Sequence, residues 1–465
     1  MAIIQTVVAG GGTTPTGTKN ITTNGTHDVT NYASADVAVP TTAPAKYLEK
    51  NTLSYSSRTW LFGNEVTNVV DLTGITALPP YALAGAYSLC APDHILDDSI
   101  SYMLSISDPH PFNNIDLDFS YISSMGTGCL QAAFTGRQGI NSVTATSTVG
   151  WNNAFAVSDV KEVIFKGAAA AGAANTFSYC GSLKKVTIEG TFGFNSGAHS
   201  FFSGCTNLET IPLDTVPYIG WSNSSVCAQT FLSGCTKITT LDLSNCTTIM
   251  GGTNSAGGSC KQFCNGCSGL VSINLNKLET IGDASNNTNV NGVCYAMFAY
   301  CTSLPTVRYP SLKAAGRYAM CGCFYGCTSL QSLWFYALTP TSFGSYSNQF
   351  SAMLSGVTGC TVHFPMAIQA TIGSWSQVTA GFSGTNTTVL FDLVTSLTGA
   401  DAVTYTRQEK DSTATATAWN DGNDVLFYTS GVSDNTNGVN EPAVGDTIYS
   451  DAACTTAVTT ISSIA

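Results

Sequence analysis

Six copies of one short unit recur between residues 177 and 335, and a recurring unit limits a chain to architectures that stack. The copies are Phe177-Ser-Tyr-Cys180-Gly-Ser-Leu183, Phe202-Ser-Gly-Cys205-Thr-Asn-Leu208 and Leu232-Ser-Gly-Cys235-Thr-Lys-Ile238, then Cys264-Asn-Gly-Cys267-Ser-Gly-Leu270, Phe298-Ala-Tyr-Cys301-Thr-Ser-Leu304 and Phe324-Tyr-Gly-Cys327-Thr-Ser-Leu330. Each is followed by two apolar residues in alternation: Val186 and Ile188, Ile211 and Leu213, Leu241 and Leu243, Ile273 and Leu275, Val307 and Tyr309, Leu333 and Phe335. Consecutive anchor cysteines lie 25, 30, 32, 34 and 26 residues apart, a solenoid period.

The alternating pair reads as a short strand with two residues pointing inward. The segment before it reads as a compact helical or 3₁₀ turn whose apolar side chains fill the other side of the coil. One unit buries too few side chains to offset the entropy of ordering its backbone, so only stacked units fold. The fold expected is a mixed, β-rich solenoid of short parallel strands and short helical or 3₁₀ turns, flanked by small β modules. Diverged copies extend it upstream, through Phe155 with Val160, Val163 and Phe165, and through Phe134 with Ile140 and Val143. Met353, Val357, Val362 and Phe364 read as a terminal cap.

The anchors Cys180, Cys205, Cys235, Cys267, Cys301 and Cys327 read as small buried residues in a ladder. Stacked thiols would also sit near disulfide distance, so cross-linking stays an alternative. Zinc fits poorly, because Cys264-Asn-Gly-Cys267 is the only C-x-x-C.

The unit F-x-G-C-x-S-L-x-x-I-x-L is similar to the BspA-like leucine-rich repeats, found in surface proteins of anaerobic bacteria and in proteins of their phages. The resemblance covers about 200 residues. The usual unit is shorter; here insertions at 214–228, 247–261 and 282–295 separate strand from next turn, and such insertions are natural binding loops. Aromatic residues in these and other insertions, Tyr218, Trp221, Tyr295 and Tyr318, are the candidate contacts for a glycan or a protein, with packing against the next coil as the alternative.

Composition narrows the function by exclusion. Charged residues are only 10% of the chain, net charge is −12, and no basic run occurs, so nucleic-acid binding is not expected. No apolar run is long enough for a membrane span, and the start Met1 to Gly12 lacks the basic flank of a signal peptide. No phosphate-binding loop, metalloprotease motif or serine-hydrolase elbow is present, and no cofactor or metal is expected. The five histidines are scattered. Asp93, His94, Asp97 and Asp98 could hold a cation, but a solvated turn explains them; Asn420 to Asp424 has the composition of a turn. Asp116 and Asp118 could pair as hydrolase carboxylates, although a strand with Ile115, Leu117 and Phe119 inward explains them fully. The chain is therefore expected not to be an enzyme.

The expected organisation is a β-hairpin module at 1–45, a cap with degenerate repeats at 46–150, the solenoid at 151–365, a linker at 366–388 and a small β domain at 389–465. The hairpin rests on Asn20 to Val29, which alternates around the Asn24-Gly25 turn, and on Tyr32 to Val39, which alternates again. That string resembles segments of structural proteins of phages infecting gut bacteria, and the ending Gly445 to Asp451 resembles terminal modules of phage appendages. These resemblances imply a phage virion protein, a fibre or decoration appendage of head or tail. Its N-terminal module would contact other virion proteins, its repeats would bind a host-surface glycan or protein, and it would be a homo-oligomer, trimeric by analogy with fibres. The alternatives are a bacterial cell-surface BspA-like adhesin and an appendage glycan hydrolase.

Overall fold

Short parallel strands pair from coil to coil, with inward apolar residues opposite one another. The computed structural model describes residues 114–465 apart from 123, 127, 195–196, 221–226, 251–259, 283–291, 344–347, 409–415, 424 and 431–440, and of residues 1–113 only the strand backbones at 19–22, 36–38, 67–70 and 77–78. Two units divide the chain: residues 1–239 with 262–268, and residues 240–261 with 269–465.

In the first unit, Ile115–Asp118, Ile140–Ala145, Glu162–Ala171 and Lys185–Phe194 form one parallel sheet. Val143, Val163 and Val186 stand opposite one another and are buried. The upstream copies inferred from Phe134 and Phe155 are thus coils of this sheet. The two rings stack at 4.9 Å, and Phe155 stacks on Phe177 at 5.2 Å, so one aromatic column threads successive coils.

In the second unit, Thr240–Asp242 pairs with Ser272–Asn274, and Thr306–Tyr309, Ser332–Phe335, Thr361–Pro365 and Thr388–Leu393 form a parallel sheet. Thr248–Ile249, Thr280–Ile281 and Ala314–Ala315 pair as a second, shorter sheet. Of the twelve apolar residues of the six inward pairs, all but Ile188 and Ile273 are buried.

The expected helical turn takes a specific form. Bonds of the i→i−3 kind, such as Ser203 N–H to Ser200 C=O and Cys205 N–H to Phe202 C=O, alternate with N–H groups that reach the next coil. Phe202 and Gly204 donate to Phe231 and Ser233, and Leu232 and Gly234 donate to Phe263 and Asn265. To alternate this way the chain turns left-handed every fourth residue: Asn175 and Tyr179, Ser200 and Gly204, Thr230 and Gly234, Gln262 and Gly266, with φ between 52° and 76°. The second of each pair immediately precedes the anchor cysteine, which explains the Gly-Cys dipeptides, since glycine takes that conformation at least cost.

Three expectations change. The segments read as a hairpin run parallel: Lys19–Thr22 pairs with Asp36–Ala38 and with Thr67–Val70. A parallel pair needs a crossover of about a dozen residues, which a two-residue Asn-Gly turn cannot provide but the whole intervening segment can. Met353, Val357, Val362 and Phe364 do not end the array, because Val389 and Phe391 continue the ladder opposite Val362 and Phe364. Residues 366–388 are not a linker: short helical turns bury Ile368, Ile372, Val378 and Phe382, and Leu354 N–H bonds Phe382 C=O at 3.0 Å.

After Leu393 the topology changes. Ser396–Gly399, Thr404–Arg407, Ala416–Asn420, Leu426–Ser430, Thr447–Tyr449 and Ala457–Ile464 close into an antiparallel barrel. Val394, Leu397, Tyr405, Trp419, Ile448 and Ile461 fill it.

Candidate functional site

The anchor cysteines are the interior of the repeat, and their geometry shows what thiols do there. Cys180 Sγ donates to Phe155 O at 3.1 Å, Cys205 to Phe177 O at 3.1 Å, Cys235 to Phe202 O at 3.2 Å, Cys267 to Leu232 O at 3.1 Å and Cys327 to Phe298 O at 2.9 Å. Cys301 is likewise buried. In the coils of Phe177, Phe202, Leu232 and Phe298, the same carbonyl accepts the N–H of that coil's own cysteine, so its second lone pair is filled by the next coil's S–H. Alanine would leave that lone pair empty. The sixteen described cysteines are free thiols. Burial pushes Cys205 and Cys235 well above the ordinary thiol range, and Cys327 up to about 12. Thiols raised in this way, at Cys205, Cys235 and Cys327, stay protonated at neutral pH.

Tyr218 is exposed in the first unit, on the Tyr218–Ile219 strand. Trp221 lies outside the described residues. In the second unit Tyr295 is exposed and Lys261 Nζ lies 5.5 Å from its ring centre. Tyr318 is half-buried in the left-handed region at φ 51°, with the Arg317 guanidinium 5.2 Å from its ring. Tyr295 and Tyr318 belong to adjacent turns: a Cβ on Gly292 would lie 2.8 Å from Tyr295 Cβ and 3.1 Å from Tyr318 O. The structure thus brings Tyr295 and Tyr318 together.

Sequence reading missed two of the most exposed rings, Tyr300 (49% exposed) and Tyr325 (40%). They sit in successive turns with ring centroids 5.2 Å apart, edge to face. A hydrogen bond with Tyr325 holds the Tyr300 hydroxyl above the usual tyrosine range. Tyr300 occupies the left-handed position before the anchor (φ 58°) that Gly204, Gly234, Gly266 and Gly326 fill elsewhere. Its ring lies where a Cβ on Gly326 would be, 2.8 Å from Cδ1. That was the available signal: tyrosine costs about 1 kcal/mol where glycine is free, so its presence asks for a reason. Because both tyrosines fall inside the repeat motif, they read as framework.

The remaining candidates have structural partners. Asp116 accepts from Asn141 Nδ2 at 2.8 Å and Ser142 Oγ at 2.6 Å, and Asp118 accepts Ser120 N–H at 2.8 Å. Ile115, Leu117 and Phe119 point inward as the strand reading requires. Asp421 accepts Asn423 N–H within its turn at 2.9 Å. Asp93, His94, Asp97 and Asp98 lie outside the described residues. Among the described residues no group of three or more His, Cys, Asp or Glu could hold a metal ion, and no helix is long and apolar enough to cross a membrane.

Residues 131–251 and 261–358 match the family described as "BspA type Leucine rich repeat region", in six copies. Over these residues the repeats are of the BspA leucine-rich type. No curated protein matches the chain. Two solved structures are similar: a leucine-rich repeat protein from Bacteroides ovatus, 16% identical, covering 61% of this chain and 87% of that one with a TM-score of 0.18, and a leucine rich cell surface protein from Faecalibacterium prausnitzii, 13% identical, covering 60% and 80% with a TM-score of 0.20. The virion appendage expected from the terminal segments is corrected by the family match. The repeats over residues 131–251 and 261–358 are of the BspA type, and the short terminal strings do not outweigh them.

Proposed function

We propose that the chain is a bacterial cell-surface adhesin whose BspA-type repeats present a recognition surface for a glycan or a protein. One observation carries this reading: tyrosines that stand exposed on the turn side of a solenoid whose phenylalanines, among the described residues, are nearly all buried. Tyr295, Tyr300 and Tyr325 are each at least 40% exposed, while Phe298, Phe324, Phe335 and Phe364 beside them are 1% or less. Rings held by rigid turns bind at low entropic cost, and a tyrosine offers both an apolar face and a hydroxyl. The repeat family supports surface placement on a bacterium; the virion partners and the trimer expected by analogy with fibres lose their basis with the fibre.

The test has two arms. Purified protein is applied to a glycan array and to an array of secreted proteins, alongside a Tyr300→Ser/Tyr325→Ser variant with an unchanged unfolding midpoint. Intact producing cells are stained with antibody to the chain. Binding that falls at least about tenfold in the variant, with staining of unpermeabilised cells, supports the proposal. Variant and wild type binding equally would remove the tyrosines from it, and staining only after permeabilisation would remove the surface placement.

A further inference from the structure

The passage from the last solenoid strand into the barrel takes two residues, Val394 and Thr395, and the backbone N–H and C=O of both are bonded. Val394 N–H donates to Glu441 Oε2 at 3.1 Å, and Val394 C=O accepts Arg407 Nε at 2.9 Å. Thr395 N–H donates to Ala465 C=O at 2.8 Å, its hydroxyl donates to the same oxygen at 3.1 Å, and its carbonyl accepts Arg407 N–H at 3.0 Å. A tether between two domains is ordinarily exposed and solvated; this one is held by barrel residues from three separate segments.

Arg407 is the centre of the arrangement. Its side chain is 7% exposed, and its Nη2 pairs with Glu441, itself 12% exposed. Its guanidinium lies 5.0 Å from the ring centre of Tyr336, a solenoid residue, and 5.4 Å from that of Trp419 in the barrel core. A cation between two rings, one from each side, joins the two structures through a contact neither could make alone. On the solenoid side the stack continues: Tyr336 lies on Trp334 at 6.1 Å, Trp334 lies on His363 at 3.4 Å, and His363 Nδ1 meets Asp392 Oδ2 at 2.8 Å. Trp334 projects from the outer face of the sheet yet is only 2% exposed. Sheet faces at the end of a repeat array need a cover, as terminal repeats in general do.

We infer that the barrel is the C-terminal cap of the solenoid, locked to its last strands through Arg407, so that the barrel and these strands open as one body. The cap meets the outward face of the last strands, at Tyr336 beside the buried Trp334. A load applied to the barrel reaches the last coils through this joint and not through a tether.

Limited proteolysis of the full chain, with cleavage sites mapped by mass spectrometry, tests this at residues 393–397. Wild type should be cut there only on the timescale of global unfolding. Arg407→Ala should raise cutting at this joint about a hundredfold, since a lone buried Glu441 and the lost stack favour the open form. Should that variant not fold, Arg407→Lys, which keeps the charge without the fork, should raise it about tenfold. Lys313→Ala, which removes an exposed pair with Glu279, should leave the rate unchanged. Wild-type cutting at the joint as fast as in the Arg407 variants would overturn the inference, as would variants no more sensitive than wild type.

Discussion

The solenoid and the barrel solve the same problem, burial of short β-strands, by opposite means. A coil of the solenoid has almost nothing of its own: its strand bonds its neighbours, its turn N–H groups reach the next coil, and even its cysteine thiol satisfies the preceding one. The barrel is closed, with each strand paired on both sides within 69 residues and Trp419 Nε1 bonded to Thr429 inside. The difference teaches where stability resides. In the solenoid it is a property of interfaces between copies; in the barrel it is a property of one core.

The largest test of that contrast is a pair of truncations. Phe155→Ala should cost about 3–5 kcal/mol, and Trp419→Ala about the same. Hydrogen exchange should separate them. Loss at Phe155, stacked between Phe134 and Phe177, should lower protection in the coils on both sides, while loss at Trp419 should spare the first unit. Protection lost only in the coil carrying Phe155 would break the comparison.

A smaller effect sharpens the account of the turns. Gly204 and Gly234 have nearly the same φ, 74° and 76°, but a Cβ on Gly204 would lie 2.5 Å from the Tyr179 ring, whereas one on Gly234 would have nothing nearer than 3.7 Å. Gly234→Ala should therefore cost about 1 kcal/mol from backbone strain alone, and Gly204→Ala about 1–3 kcal/mol more. Denaturant midpoints measure both, and adding Tyr179→Ser should erase the excess. Equal costs would show that the ring yields freely.

The repeat was legible because stacking demands the same residue at the same place in each coil, and Phe, Cys and Leu recur accordingly. Of the barrel, Val425 to Tyr428 and Thr447 to Tyr449 read as strands, and the structure has strands at Leu426–Ser430 and Thr447–Tyr449; the other strands were not legible, because the inward residues Leu397, Tyr405 and Trp419 share no period. Val389 to Leu393 did read as a strand, but its parallel partner across 27 residues assigns it to the solenoid. The stretch 366–388 looked like a linker because four buried residues are diluted among Gly, Ser and Thr. On the binding side, Tyr218, Tyr295 and Tyr318 were visible as aromatic residues in insertions. Tyr300 and Tyr325 were hidden by the motif that holds them.

Cys235→Ala should cost about 0.5–1.5 kcal/mol, the net worth of one hydrogen bond with its acceptor still singly satisfied. Cys235→Ser, which keeps a donor, should cost less; a serine variant worse than alanine would mean that size and not donation selects cysteine. The smallest effect lies in the barrel. Asp451 accepts Thr455 and Thr456 N–H groups at 3.1 and 2.7 Å, and these bonds hold its carboxyl below the usual range. A depressed acid contributes stability above its unfolded pKa of about 3.9 and loses it as pH falls through the folded value. NMR of Thr455 and Thr456 amides should show this turn loosening at acid pH, with the solenoid amides unchanged.

Counting thiols tests the between-coil account most directly. Without reductant, the native protein should give modification at half-buried Cys321 and Cys454, with Cys90 the one further cysteine outside the described residues, and all seventeen cysteines should react once the chain is denatured. Rapid native modification of Cys205, Cys235 or Cys267, or fewer than seventeen thiols after denaturation, would mean that the coils are not joined by a ladder of buried S–H donors.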